Sequence, residues 1–367
     1  MLEKSYKKRT ILIAMLIGLF FTFNLSAQTS RERAIAFKQE GDRYSDRQDY
    51  KTAVDKYLKA IDADKTYPDT FWSMAFALSK MHEHKLAGLS YTRYLEKVSD
   101  TATAYVLFQI GNEYRLAKEF ELSKTAFDLA LTSTPKYHQD YEAIADIYSY
   151  RGNLTRAVEY QTRAVNFSNS DNDLSGYIGL SWYYSFLQQH QNSVNAATKA
   201  IQIDSSEPMS YTNRCRAYND LKLYDKAITD CKKSLSLRPN HGETQYYMAN
   251  SYRAKGNTAE ATRLNKLAIP NLLTELEEAA KAELISLPDY CYLLGNALFE
   301  DKKFTEAVTA YELGLEFKPN FSSLRFNLGM AYLKVKNKQG ATEQYRELLK
   351  IDAAKANALK TRIDAAK

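Results

Sequence analysis

Glycine and proline are scarce in this 367-residue chain, at 13 and 7 residues. So few breakers, with no sustained alternation of Val, Ile or Thr, argue against an all-β fold and point to helices throughout. Cysteine is scarcer still, at three, too few for a disulfide framework. An excess of one charge is also missing. The net charge is +6, and half of it lies in residues 1–27, where Lys4, Lys7, Lys8 and Arg9 outnumber Glu3. The rest is nearly balanced and has no basic run after Arg9, so there is no electrostatic footprint for nucleic acid. Catalytic signatures are absent as well: no Gly-rich phosphate loop, Gly-x-Ser-x-Gly elbow or His-Glu-x-x-His occurs. His82-Glu83-His84 is the only close His pair, and without a third ligand it reads as a solvated turn. We therefore expect no enzyme, no catalytic residues, no metal site and no cofactor.

Long apolar runs are confined to the start. Basic Lys4 to Arg9 precede thirteen apolar residues, Ile11 to Phe23, and then Leu25-Ser26-Ala27. This is the three-part secretory pattern, with cleavage expected after Ala27 and a location outside the cytoplasm, periplasmic or secreted. The run is short for a membrane span, which takes roughly 17–25 apolar residues. Left uncleaved it would act as an anchor, the one membrane association expected.

Tyrosine, by contrast, is abundant at 28 residues, and its spacing is regular. Similar segments begin at Ala34, Pro68, Ala104, His138, Leu174, Pro208, Gly242, Pro288 and Ser322. The steps are 34 or 36 residues except for one of 46, between Gly242 and Pro288. The eighth position is always small: Gly41, Ala75, Gly111, Ala145, Ser181, Cys215, Ala249, Gly295 and Gly329. The eleventh is Tyr or Leu and the twentieth is Ala or Ser throughout. Small residues let two antiparallel helices approach closely, and tyrosine adds apolar area with a polar tip. Pro68, Pro208 and Pro288 suit a first helical position, while Pro135, Pro239 and Pro319 stand where a second helix must stop. A helix pair this short cannot bury its apolar face alone, so the copies are expected to stack. Cys215 and Cys231 fall on facing helices of one copy, at positions where other copies place small residues. They read as packing in preference to a bridge.

The period and the pattern, large-x2-Leu/Ile-Gly-x2-Tyr, then Ala-x3-aromatic, then Pro, resemble the tetratricopeptide repeat family. The cleanest copies are Leu107 to Pro135 and Leu294 to Pro319, and the resemblance covers about residues 34–355. It implies an all-α fold, an α-solenoid of about nine helix-turn-helix repeats forming a right-handed superhelix. It also implies a non-enzymatic scaffold or adaptor that binds a protein or peptide in its concave groove. A structural subunit of a cell-envelope assembly is the alternative. Two departures stand out. Position 24 is Gln161, Ala197, Cys231 and Asn265 in the middle copies, where looser packing is expected, and Arg325 holds a position that is usually apolar.

The long step holds Pro270, expected to kink or end a helix. Leu272, Leu273, Leu276, Ala279, Ala280 and Leu284 then recur at helical spacing. This gives an inserted helical segment over 276–287, dividing repeats one to seven (34–275) from repeats eight and nine (288–355). Residues 356–367 read as a capping helix with Leu359 and Ile363 inward.

In the resembled family, positions 2, 5, 9 and 12 of each first helix face the groove. Carried onto this chain, they give Trp72, Phe76, Tyr105, Phe108, Asn112 and Arg115 near the start. The middle runs from Glu142 and Asp146 through Trp182 to Arg216, Asn219, Tyr246, Asn250 and Arg253. The end offers Tyr292, Asn296, Phe299, Phe326, Met330 and Leu333. Aromatics would anchor, Asn would bond an extended backbone, and Arg would pair with a carboxylate.

Overall fold

The computed structural model describes residues 29–98, 103–167, 172–281 and 287–366. The secretory pattern expected over 1–27 lies outside them. The described residues form 19 helices and no strand, and no helix among them is long and apolar enough to cross a membrane. They fall into two compact units, divided between Lys136 and Tyr137.

The first unit holds three helix pairs. These are α1 (29–46) with α2 (Tyr50–Ala63), α3 (Pro68–Lys80) with α4 (His84–Lys97), and α5 (Ala104–Leu116) with α6 (Phe120–Thr132). The second unit holds six pairs and a closing helix. Its first four pairs are α7 (His138–Tyr150) with α8 (Leu154–Phe167), α9 (Leu174–Phe186) with α10 (His190–Ile203), α11 (Pro208–Asp220) with α12 (Tyr224–Leu237), and α13 (Gly242–Ala254) with α14 (Thr258–Lys281). Then come α15 (Leu287–Glu300) with α16 (Phe304–Phe317), α17 (Ser322–Lys334) with α18 (Lys338–Ile351), and α19 (Ala353–Ala365).

The small column works by close approach inside each pair. A Cβ added at Gly295 would lie 2.4 Å from the Tyr311 ring, and one at Gly111 would lie 2.5 Å from Phe127. Only a small residue at position 8 leaves room for the aromatic at position 24. Where position 24 is not aromatic, Gln161, Ala197, Cys231 and Asn265 are all buried. The Asn265 side-chain amide donates to the carbonyl of Ala297 at 2.8 Å, while its Oδ1 has no hydrogen-bond partner among the described residues. Arg325 is likewise held, donating to the Pro319 carbonyl and to Gln344 Oε1, each at 2.8 Å.

Each pair turns through one left-handed residue at position 15: Gln48, His82, Lys118, Gly152, Gln188, Lys222, Gly256, Lys302 and Lys336, with φ between 60° and 82°. Only two of the nine are glycine. His84 corrects the reading of a solvated turn. It is buried, and its Nδ1 lies 2.8 Å from Glu113 Oε2 on α5. Cys215 and Cys231 correct the packing-only reading, because the two buried sulfurs are bonded across α11 and α12. The third cysteine, Cys291, is buried and free.

The region of the long step also differs from expectation. Pro270 does not end a helix: α14 continues through it to Lys281 as one 24-residue helix. Leu272 and Leu276 join a core that runs on through Leu294, Tyr311 and Leu328, so packing is continuous across the long step. The added turns press against the start of α13, where a Cβ on Gly242 would lie 2.6 Å from the Leu272 nitrogen. At the end of the chain, α19 buries Leu359 and Ile363 against α17 and α18 as a cap.

Candidate functional site

In the second unit the first helices of successive pairs touch one another, α9 with α11, α11 with α13, and α13 with α15. Their shared face is lined by three adjoining cavities of about 410, 270 and 190 Å³. The largest brings together Arg216, Tyr246, Asn250, Tyr292 and Asn296, with Phe186, His190, Asp220 and Tyr247. The second lies beside Asp146, Tyr150, Trp182, Tyr183, Met209, Asn213, Asp289 and Lys318. The smallest joins them, sharing Arg216, Phe186, Tyr247 and Tyr292 with the first and Trp182, Met209 and Asp289 with the second. Phe186 meets Phe321 with ring centroids 6.3 Å apart, and Tyr292 meets Phe321 at 5.3 Å, so Phe321 backs two rings of the cavity wall.

Arg216 sits at the junction and is only 5% exposed. Its Nη1 lies 3.8 Å from Glu243 Oε1, and its guanidinium rests over Phe186 at 5.3 Å and Tyr247 at 5.8 Å. Its Nε has no hydrogen-bond partner among the described residues. Its Nη2 also donates to Asn213 Oδ1 at 3.5 Å, so this buried cation is held by ring faces and two long polar contacts, with donor capacity left for an incoming acceptor. Acidic groups outnumber it. Burial pushes the Asp146 carboxyl up to about 6, opposed by the hydrogen bond it accepts from Tyr183 at 3.1 Å. Burial pushes Asp289 up to about 6 as well, opposed by Lys318 and Arg216. Glu243 and Asp220 are raised by the same cause.

Other sequence candidates are engaged in contacts within the fold, Asn250 and Asn296 among them although they line the largest cavity. Asn219 donates to the Tyr247 carbonyl at 3.0 Å and accepts from Ser251 Oγ at 2.6 Å, tying α11 to α13. Arg253 donates to Asn250 Oδ1 and lies 3.4 Å from Glu300. Asn296 Oδ1 accepts from Tyr311 and Asn327, each at 2.7 Å. Phe326, Met330 and Leu333 pack against the α19 cap, and Phe299 packs edge-on to Phe304 at 5.1 Å. In the first unit Trp72 packs against Tyr91, Tyr94 and Tyr105, and Phe108 stacks on Phe127. Arg115 donates to Asn112 Oδ1 at 2.8 Å, while Phe76 is exposed.

Glu243, Met209 and Asp289 are groove residues that sequence reading passed over, although all three occupy position 2 of their copies. Phe186 and Tyr247 fall at positions 13 and 6, outside the pattern used. One group has the composition of a metal site, His138, Glu142 and Asp173. Both imidazole nitrogens face carboxylates, Nε2 at 2.9 Å from Asp173 and Nδ1 at 3.5 Å from Glu142. Asp173 also accepts from the Gly176 amide at 2.8 Å as the N-cap of α9. The group forms a polar bridge from α7 to the start of α9.

Stacked helix pairs with an aromatic and amide-lined inner face define a helical-repeat scaffold. Tetratricopeptide repeat profiles match residues 208–241, 288–321 and 322–355, and a TPR repeat profile matches 41–81. The chain is a tetratricopeptide-repeat protein. It is 23% identical to a DnaJ homolog subfamily C member 7 homolog of Dictyostelium discoideum, over 59% of this chain and 49% of that one. It is 24% identical to an Hsp70-Hsp90 organizing protein of Triticum aestivum, over 40% of this chain and 29% of that one. It therefore spans half or less of the length of these curated relatives. Among solved structures, pilF of Pseudomonas aeruginosa aligns at 19% identity and a TM-score of 0.49, covering 60% of this chain and 99% of that one. The C-terminal part of a TPR repeat-containing protein of Cytophaga hutchinsonii aligns at 16% and 0.47, covering 63% and 94%. Proteins of this class are in general protein-interaction scaffolds.

Proposed function

We propose that this chain is a non-enzymatic adaptor that holds a protein or peptide segment along the inner face of α9, α11, α13 and α15, outside the cytoplasm. The observation that carries the reading is the run of three adjoining cavities, walled by aromatic rings and centred on Arg216 with its free Nε. Rigid rings give contact area at little entropic cost, and the buried guanidinium gives a directional donor. The relatives named for Hsp70-Hsp90 organization agree with a polypeptide ligand. The basic-apolar-small pattern up to Ala27 and the Cys215–Cys231 bridge both support an oxidising compartment.

A photo-crosslinking residue at Asn250, in the wall of the largest cavity, tests the binding face against the same residue at exposed Leu129 on α6. Polypeptide adducts at 250 and none at 129 are expected; adducts at 129 alone would overturn the groove reading. N-terminal sequencing of the mature protein should begin at Gln28, and a start at Met1 would sink cleavage.

A second reading, a structural subunit of an envelope assembly, is favoured by apolar side chains exposed on the second helices of the first unit. These are Leu86 and Leu89 on α4 and Phe120, Leu122 and Leu129 on α6. An oligomer in solution that Leu129→Asp dissolves and Asn250→Ala leaves intact would support it.

A further inference from the structure

We infer that the chamber between α7, α9 and α15 receives a cationic side chain, lysine or arginine, of the polypeptide held in the groove. This rests on the groove-binding reading and adds a charge preference to it. The chamber has about 270 Å³ of space, and two carboxylates face it from different helices, Asp146 on α7 and Asp289 on α15. Tyr150, Trp182 and Tyr183 supply aromatic walls, the surroundings in which a desolvated cation is held by both carboxylates and ring faces. Oδ1 of Asp289 is buried and has no hydrogen-bond partner among the described residues. The nearby cation, Lys318, instead rests its Nζ over the Phe321 ring at 5.1 Å. Asp146 holds a single hydroxyl contact, from Tyr183. A buried acceptor left without a donor is costly unless a ligand completes it. The adjoining small cavity adds Glu243, whose carboxylate lies 3.8 Å from Arg216 Nη1.

Burial raises both carboxyls. Glu142 and Tyr183 face Asp146, and Lys318, Arg216, Glu243 and Tyr183 face Asp289. An entering cation favours the ionised forms, so binding is expected to strengthen as pH rises through about 6.

The chain has two tryptophans, Trp72 and Trp182. In a Trp72→Phe background, Trp182 fluorescence therefore reports this chamber and the small cavity that shares Trp182, and the Asp146→Asn variant, at a residue lining the chamber and not the small cavity, tells the two apart. The probes are an acetylated, amidated hexapeptide with one central lysine, the same peptide with norleucine there, and n-butylammonium. The lysine peptide is expected to bind at least about tenfold tighter than the norleucine peptide, and Asp146→Asn or Asp289→Asn to remove about that factor. Asp146→Asn keeps an acceptor for Tyr183, and unfolding midpoints verify that each variant is folded. Equal affinity for the two peptides, unchanged affinity in the folded Asn variants, or no lysine-peptide binding overturns the inference. Butylammonium binding as tightly as the lysine peptide overturns the assignment to a polypeptide. Adducts at position 250 without a charge preference overturn the inference alone, whereas loss of both removes the groove reading too.

Discussion

Oε1 of Glu275 accepts a hydrogen bond from the backbone N–H of Gly242 at 2.8 Å. The extra turns of α14 thus supply the carboxylate that caps α13, whose own preceding residue, His241, provides no side-chain cap. The longest step in the repeat pattern has a structural role, satisfying amides that a helix start leaves open.

That cap should make stability depend on pH. Burial is the largest influence and lifts the Glu275 carboxyl from 4.5 to about 7, with Glu243 adding to the rise and Arg238 and the Gly242 amide opposing it. His241 beside it is pushed down to about 3 by burial and by Arg238, and so stays neutral in this range. The folded state therefore binds the Glu275 proton more tightly than the unfolded state. The stabilisation is full below pH 4.5 and is lost as pH rises through about 7. Thermal unfolding at pH 5 and pH 8 should show a smaller loss on raising pH in Glu275→Gln than in wild type. Parallel profiles would refute the coupling.

Gly242→Ala should destabilise the second unit by about 2 kcal/mol, because the new methyl meets the backbone of α14 and neither helix can move away freely. Urea denaturation measures it. A change under a few tenths would mean that α14 does not press on α13 in solution.

The left-handed turns offer the opposite experiment. Lys222 and Lys302 hold φ of 61° and 65° at positions where two other copies use glycine. Replacing each with glycine relieves backbone crowding but adds unfolded-state entropy, a net gain on the order of 0.5 kcal/mol per turn. A Lys222→Gly/Lys302→Gly double variant should show a raised urea midpoint; a lowered one would mean that the lysine side chains contribute more than the strain costs.

Thiol titration of denatured, unreduced protein should return one thiol, Cys291, because Cys215 and Cys231 are bonded. The bridge spans a sequence separation of 16, so reducing it should cost about 3 kcal/mol. Three free thiols would refute the bridge.

The helix pairs were legible in the sequence nearly to the residue. The first helices predicted from Pro68, Ala104, His138, Leu174, Pro208, Gly242 and Ser322 begin there, that at Pro288 begins one residue earlier, and that at Ala34 begins at residue 29. Where small and aromatic residues pair, as at Gly41, Gly111 and Gly295, the columns report contacts made within a pair; at Gly329 the close neighbour is Leu359 of α19. The left-handed turn residue was missed because its side chain makes no recurring contact, and seven of the nine are not glycine. The sequence-derived groove list mixed residues that line cavities, such as Arg216 and Tyr292, with residues spent on joining helices, such as Asn219. Position in a repeat tells which way a side chain leaves its helix and not what meets it.

The sequence by itself determined the period, the all-helical fold, the pairing of helices and the cap, since each follows from contacts between residues close in sequence or one repeat apart. Only the tertiary structure decided where Phe186 meets Phe321, where Asp146 and Asp289 come to share a chamber, and how Arg216 loses its solvent. The two pairs lie more than a hundred residues apart. Their meeting depends on small rotations between successive helix pairs that add up along the stack. No single repeat encodes that sum.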